Sequence, residues 1–414
     1  MPVKTLRSLF DVENPGLVGL MSFSHGFNEF FSIIVPPLFP YFVPRLGMDY
    51  SEASLLVVVF FLTYSVCQLP IGPFADVYDN QKILVCGMSV LALGISLVAI
   101  STTYPVMVLG MIIAGIGGST YHPTGMALIS DNESNETYGR SMGVHGTLGS
   151  LGTVVAPLVV VTVAETSGWR SALLTGSALG LFFSLILYVA YPMVSPKNAD
   201  DESPNFVTAI RQTFHEELDR QAILDNVSTY LLSREIIVLG LLFLVVGAEV
   251  RAVQTFTASF AVSKTGLEES FGGTMLSITM VTAGLASMFA GVVVDKLDRD
   301  FFAAATFAGT GVTIAILVYF PLDPIQLTAG FVVLGGVLYG VYPATNAMAA
   351  ATSVTSTSGS LFAVTNTASA IGGAAGAYIL GIVADVTTIQ HAFFTTSAIA
   401  AVGVLIVIVA RIFD

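Results

Sequence analysis

Runs of about 20 apolar residues, separated by short polar links, recur along almost the whole of this 414-residue chain. A helix that long crosses a hydrocarbon layer ~30 Å thick. This constrains the fold more than any motif. In lipid every backbone N–H and C=O must find a partner, and a helix supplies its own. The composition agrees, being 54% hydrophobic and 10% charged, where a soluble domain is about a quarter charged. The 39 glycines suit close helix packing in lipid. The expected fold class is therefore an all-α integral membrane protein. Twelve spans are predicted, over 17–43, 52–75, 82–101, 104–130, 138–165, 170–192, 236–263, 269–295, 301–320, 325–353, 357–384 and 390–412. The polar opening MPVKTLRSLFDVENPG runs straight into the first span, with no cleavable signal pattern.

Charge sets the expected orientation. With the N-terminus inside, the inner side carries Lys4, Arg7, Lys82, Arg140, Lys197, Arg211, Arg220, Arg234, Lys296, Arg299 and Arg411, and the outer side Arg45, Arg170 and Lys264. That bias places both termini in the cytoplasm, in a plasma membrane. The net charge of −13 and pI near 4.7 argue against a nucleic-acid partner. Acidic loops such as DNESNE (131–136) also suit a halophile. Cys67 and Cys86 show no disulfide or metal spacing and read as small apolar fillers. No nucleophile–base pairing points to an enzyme, and no cofactor or metal is expected. The expected partners are a small-molecule substrate, protons and lipid, around a monomer.

The long polar segment, 193–235, contains SPNFVTAIRQTFHEELDRQAI. Ser203 as cap, Pro204 at the first position, and Phe206, Ile210 and Phe214 on one face predict an amphipathic surface helix. On either side the sequence repeats. Gly72, Asp76 and Asp79 match Gly291, Asp295 and Asp298 at an offset of 219; Pro123, Gly139 and Gly152 match Pro343, Gly359 and Gly372 at 220; Gly26 matches Gly247 at 221. The expected architecture is two pseudo-symmetric six-helix halves, 1–192 and 236–414, joined by a cytoplasmic linker, 193–235.

GPFADVYDNQK (72–82) resembles the loop signature between the second and third helices of the major facilitator superfamily. Asp76 and Lys82 keep its skeleton; Asp79 stands where Gly is usual. The second copy, GVVVDKLDR, carries Asp295 and Arg299. The resemblance implies gating roles: Asp76 near Ser358–Gly359, and Asp295 near Gly139–Arg140, each carboxylate against a helix start. GVHGTLGSLGTVVAP, with Gly143, Gly152, Ala156 and Pro157, looks like the antiporter motif of the superfamily's exporters. SHGFNEFF and GGSTYHPTGMAL look like the fosmidomycin-resistance group, through His25, Asn28, Glu29, His122 and Pro123, with Thr124 where an acid is frequent.

Polar residues inside spans are costly and usually face a cavity. His25 and Glu29 lie four apart, on one helix face, with Asn28 beside them. His122, with Tyr121 preceding it, and His145 fall at a similar depth in the fourth and fifth spans, and the resemblance implies that these line a central cavity. In the second half, Glu249, Arg251 and Gln254 lie near mid-membrane, Tyr342 and Asn346 flank Pro343, and Asn366 sits in the eleventh span. The set reads either as a structural network or as a substrate- and proton-binding site. The favoured expectation is a proton-coupled exporter of small organic molecules, with Glu29 as proton carrier and Glu249 held by Arg251. The alternatives are an importer of an organic or inorganic anion and a non-transporting membrane sensor.

Overall fold

The computed structural model describes residues 12–134, 136–195, 204–216, 234–294, 296–352 and 358–412. They are helical almost throughout. The first span is interrupted, comprising α1 (Pro15–Ser32), a 3-10 turn (Pro36–Leu38) and α2 (Phe39–Leu46). There follow α3 (Tyr50–Val77), α4 (Asn80–Ile100), α5 (Tyr104–Gly118), α6 (Tyr121–Asn132), α7 (Tyr138–Ser167) and α8 (Trp169–Val194). The linker contributes α9 (Phe206–Glu216). The remainder is α10 (Arg234–Thr265), α11 (Glu269–Val294), α12 (Arg299–Tyr319), α13 (Pro324–Leu338), α14 (Val341–Thr352), α15 (Ser358–Val386) and α16 (Ile389–Ile412). Among the described residues, 11 helical segments are long and apolar enough to cross a membrane, with α5–α6 and α13–α14 each counting once. The interrupted first span makes the twelfth predicted from sequence.

Prolines cause the breaks. A proline has no N–H, and its ring clashes with the carbonyl four residues earlier. For Pro123 that carbonyl belongs to Ser119, which ends α5; for Pro343 it belongs to Tyr339, which ends α13. Pro36 acts on Ser32, the last residue of α1. The repeat thus places the same break in two spans, and each break turns aromatic and polar side chains away from the regular helix face. Asp79 and Asp298, also a repeat pair, do matching work. Each caps the next helix, accepting from the backbone N–H of Lys82 and of Phe301.

Two compact units emerge. The first comprises Met1–Ile34, Thr63–Ala156 and Thr166–Arg220. In it α1 crosses α7 where both are glycine: a Cβ on Gly152 would overlap the Gly26 carbonyl oxygen. The start of α1 is tied to the α6–α7 junction. Glu133 accepts from the N–H groups of Glu13 (3.2 Å) and Asn14 (2.9 Å) and from the Ser141 hydroxyl (2.8 Å). Asn14 in turn caps α1 and donates to the Val194 carbonyl.

The α9 helix differs from expectation at its start. Asn205, not Ser203, accepts the N–H of Thr208 at 2.9 Å, so the helix begins two residues later. Ser203 itself lies outside the described residues. The buried positions are Ala209 and Thr213, while Ile210 is 37% exposed. The Phe206 ring packs 5.8 Å from those of Phe74 and Tyr78.

The second unit comprises Val35–Leu62, Pro157–Glu165 and Gln221–Asp414. Here α10 packs along α15 through the glycines that repeat the α1–α7 crossing. A Cβ on Gly247 would overlap the Ser369 carbonyl, and one on Gly372 the Leu244 carbonyl. At one end of this unit Asp385, near the end of α15, accepts the N–H groups of Tyr50 (2.6 Å) and Ser51 (3.0 Å) at the start of α3. Arg45 pairs with Glu269 at 3.4 Å on the same end.

Candidate functional site

In the first unit the cluster is built from α1, α6 and α7. His25 and Glu29 project from successive turns of α1. The break at Ser119–Thr120 restarts the fourth span as α6, whose first two residues are Tyr121 and His122. His145 comes from α7. Gly149, one turn further along α7, leaves room for the His25 ring, which a Cβ there would strike.

Glu29 is the meeting point. Its Oε1 lies 3.7 Å from His25 Nε2 and 3.7 Å from His122 Nε2. The other carboxylate oxygen accepts from the Ser32 hydroxyl at 3.3 Å. The side chains of His25, Glu29 and His122 keep 15%, 26% and 31% of their exposure, whereas His145 is buried. The cluster is thus walled on one side and open on the other.

Backbone carbonyls fix the tautomers. A carbonyl only accepts, so His25 Nδ1, 3.2 Å from the His145 carbonyl, carries a proton. The Tyr121 hydroxyl donates to the Met21 carbonyl, leaving its oxygen to accept from His145 Nδ1 at 3.4 Å. The rings of His25 and His145 stack with centroids 4.3 Å apart, and the Tyr121 ring stacks on His25 at 5.6 Å. Asn28 points inward instead, donating to Tyr64 (3.2 Å) and to the Gly118 carbonyl (3.1 Å).

In the second unit, Gln254 donates to the Tyr339 hydroxyl at 2.6 Å, and the Tyr342 ring lies 5.4 Å from that of Tyr339. The Arg251 guanidinium sits 3.5 Å from the centroid of the Phe61 ring. Glu249 is fully buried, facing the Thr310 side chain. It occupies the repeat position of Asn28, at the Gly26–Gly247 offset. Asn346 and Asn366 are exposed.

The gating set is only partly described. Asp76 is exposed at the end of α3. Lys82 pairs with Asp79 at 3.1 Å, Arg140 donates to the Glu136 carbonyl at 3.1 Å, and Arg299 donates to the Ala347 carbonyl at 3.3 Å. Asp295 lies outside the described residues. Sequence reading missed Tyr64, Tyr339, Gly149 and Asp385. Their signals were weak, since aromatic residues, glycines and loop acids abound in such a chain.

The Major Facilitator Superfamily model matches residues 19–268 and 239–413. The chain belongs to the Major Facilitator Superfamily. With its 11 helical segments of membrane-crossing length and apolarity, it is a multi-pass membrane protein of that family. It is 30% identical over 147 residues to a probable L-galactonate transporter of Escherichia coli K12, 36% of this chain and 32% of that one. It is 22% identical to the fosmidomycin resistance protein of the same organism, over 37% of each chain. The match thus spans only about a third of the length of these relatives. In structure it resembles a bacterial homologue of the human lysosomal transporter Spinster, with a TM-score of 0.79 over 95% of this chain and 96% of that one, at 12% identity. This last likeness concerns the fold alone.

Proposed function

We propose that this superfamily member is a proton-coupled secondary transporter that exports small organic molecules by alternating access. It would lie in the plasma membrane with both termini in the cytoplasm. The observation that carries the coupling is the contact of Glu29 with two imidazoles, 3.7 Å away on each side. Carboxylate and imidazole together can take up a proton and pass it on, and part of the cluster is open to solvent. Proton and substrate would then bind competitively, each disfavouring the other. Export rests on the Gly143, Gly152, Ala156, Pro157 pattern and gains support from the likeness to the fosmidomycin resistance protein.

A second reading is import of an organic anion. Arg251 favours it, as a fixed positive charge held over Phe61 within a span, and so does the higher identity to the probable L-galactonate transporter. Proteoliposomes decide between them. Fosmidomycin and L-galactonate are offered with and without an imposed pH gradient. Export predicts flux of the probe against the proton gradient; import predicts flux along it. Equal flux with and without the gradient would remove proton coupling from the proposal.

A further inference from the structure

The donor atoms around Glu29 suit more than a proton. His25, Glu29 and His122 each offer one ligand atom, and these atoms all lie within 4.8 Å of one another. The Nδ1 of His25 is committed to the His145 carbonyl, so in the neutral ring Nε2 is the bare nitrogen, and it faces Glu29. A bare nitrogen and a carboxylate oxygen do not attract each other; a cation between them satisfies both. The 3.7 Å separations fit that arrangement. Ligand atoms about 2.1 Å from a shared ion stand roughly 3.4 Å apart in a tetrahedron.

We infer that His25, Glu29 and His122 form a binding site for a divalent transition-metal ion of the Zn2+ class. Two imidazoles and a carboxylate are the ligand set such borderline ions prefer over Mg2+ or Ca2+. His25 and Glu29 lie one turn apart on α1, a spacing at which one helix face supplies two ligands. The third ligand comes from another element, α6, which the Pro123 break restarts just before Tyr121. His25 already has the outer partner that metal-ligating histidines use, a carbonyl on the remote ring nitrogen. His122 Nδ1 is buried without a hydrogen-bond partner, so no such contact selects its tautomer. The exposure of all three side chains provides a path of entry, and the fourth coordination position is left for water or a substrate oxygen. The ion would occupy the place assigned above to the coupling proton, so a bound ion blocks coupling. The inference uses the same residues as the coupling proposal but needs no transport to be tested, so either can fail alone.

The test is optical. Full-length, tag-free protein in lipid nanodiscs is titrated with Co2+, and the visible d–d bands report number and geometry. The expected result is one equivalent of low-symmetry, tetrahedral-type Co2+, displaced by Zn2+ and not by Mg2+. Glu29→Gln and His122→Gln should each weaken binding by about 100-fold or more, while His391→Gln, at an exposed site, leaves it unchanged. His122→Cys guards against misfolding, because a thiolate-to-Co2+ charge-transfer band arises only if position 122 ligates. Octahedral Co2+ alone, binding unaltered by Glu29→Gln and His122→Gln, or a His122→Cys protein that binds Co2+ without that band would overturn the site.

Discussion

Glu29 meets His25 because four residues separate them on one helix, and meets His122 because Pro123 breaks another span. The first relation is legible in any sequence; the second needs the fold. This difference runs through the whole site. His25, Asn28 and Glu29 all stand out by polarity within an apolar span, yet Asn28 turns inward to Tyr64 and Gly118 while Glu29 stays partly open. Consecutive residues on an α-helix point about 100° apart, which suffices to separate their roles. Removing the acid while keeping its shape should isolate its part. In Glu29→Gln protein, accumulation driven by a pH gradient should fall about 100-fold, whereas exchange of labelled for unlabelled substrate persists. Wild-type accumulation by Glu29→Gln would make the residue structural. Glu249, by contrast, is fully buried inside its own unit, facing the Thr310 hydroxyl. That hydroxyl keeps its own bond to the Thr306 carbonyl, so replacing the acid by an apolar group of similar shape should cost little. Glu249→Met should unfold within a few degrees of the wild type, read by thermal denaturation in detergent. A large loss of stability would show that the Thr310 contact carries the site.

At the scale of elements, glycine and proline positions carried most of the information, and the repeat made them readable. The 220–221 offsets align Gly26 with Gly247 and Gly152 with Gly372, and the structure gives each crossing the same task, backbone passing backbone. The antiporter-like pattern on α7 is thus at least a packing device. Its glycines are not equivalent. Gly152→Ala should cost about 1–3 kcal/mol by overpacking against Gly26, while Gly146→Ala, with open space around it, should be neutral or stabilising by up to ~1 kcal/mol of helix propensity. Equal melting temperatures for the two variants would contradict the crossing.

What sequence could not show was how element ends are tied, because single polar loop residues carry no period. Glu133 is the example. Burial alone would push its carboxyl up, but the Asn14 N–H, the Thr137 and Ser141 hydroxyls and the Glu13 N–H outweigh burial and hold it below the usual carboxylate range. A lowered folded-state value contributes stability that is present above the unfolded value, about 4.3, and is lost as pH falls through the folded value. Glu133→Gln should destabilise the fold by about 1–2 kcal/mol at pH 7, and the gap to wild type should close in melts below about pH 4.

At the scale of the molecule, composition sets the class and the spans, and charge bias gives the proposed orientation. That orientation has a direct test: a cysteine at 210 should label only in permeabilised cells, and labelling from outside intact cells would refute cytoplasmic termini. The proposed alternating access adds a stricter requirement: contacts that close one end must be strong enough to hold and weak enough to break. In the second unit Asp385 is suited to such a contact, accepting two N–H groups at the start of α3, where the helix dipole also favours a negative charge. No sequence pattern marks it, since Asp385 is one acid among many near helix ends. The contact is exposed, which limits it to about 0.3–1 kcal/mol, or roughly a 2- to 5-fold change in an open–closed population. Ser54, fully buried beneath it and against Gly381, is the natural reporter. With Cys67 and Cys86 replaced by Ala, Ser54→Cys should react slowly with a maleimide. Adding Asp385→Ala should raise the rate roughly 2- to 5-fold, and Asp385→Asn, which keeps one acceptor oxygen, should fall between. Equal rates in all three would mean that this end is closed by apolar packing alone, around Phe39, Tyr50 and Phe256, whose rings meet at 6.0 and 6.2 Å.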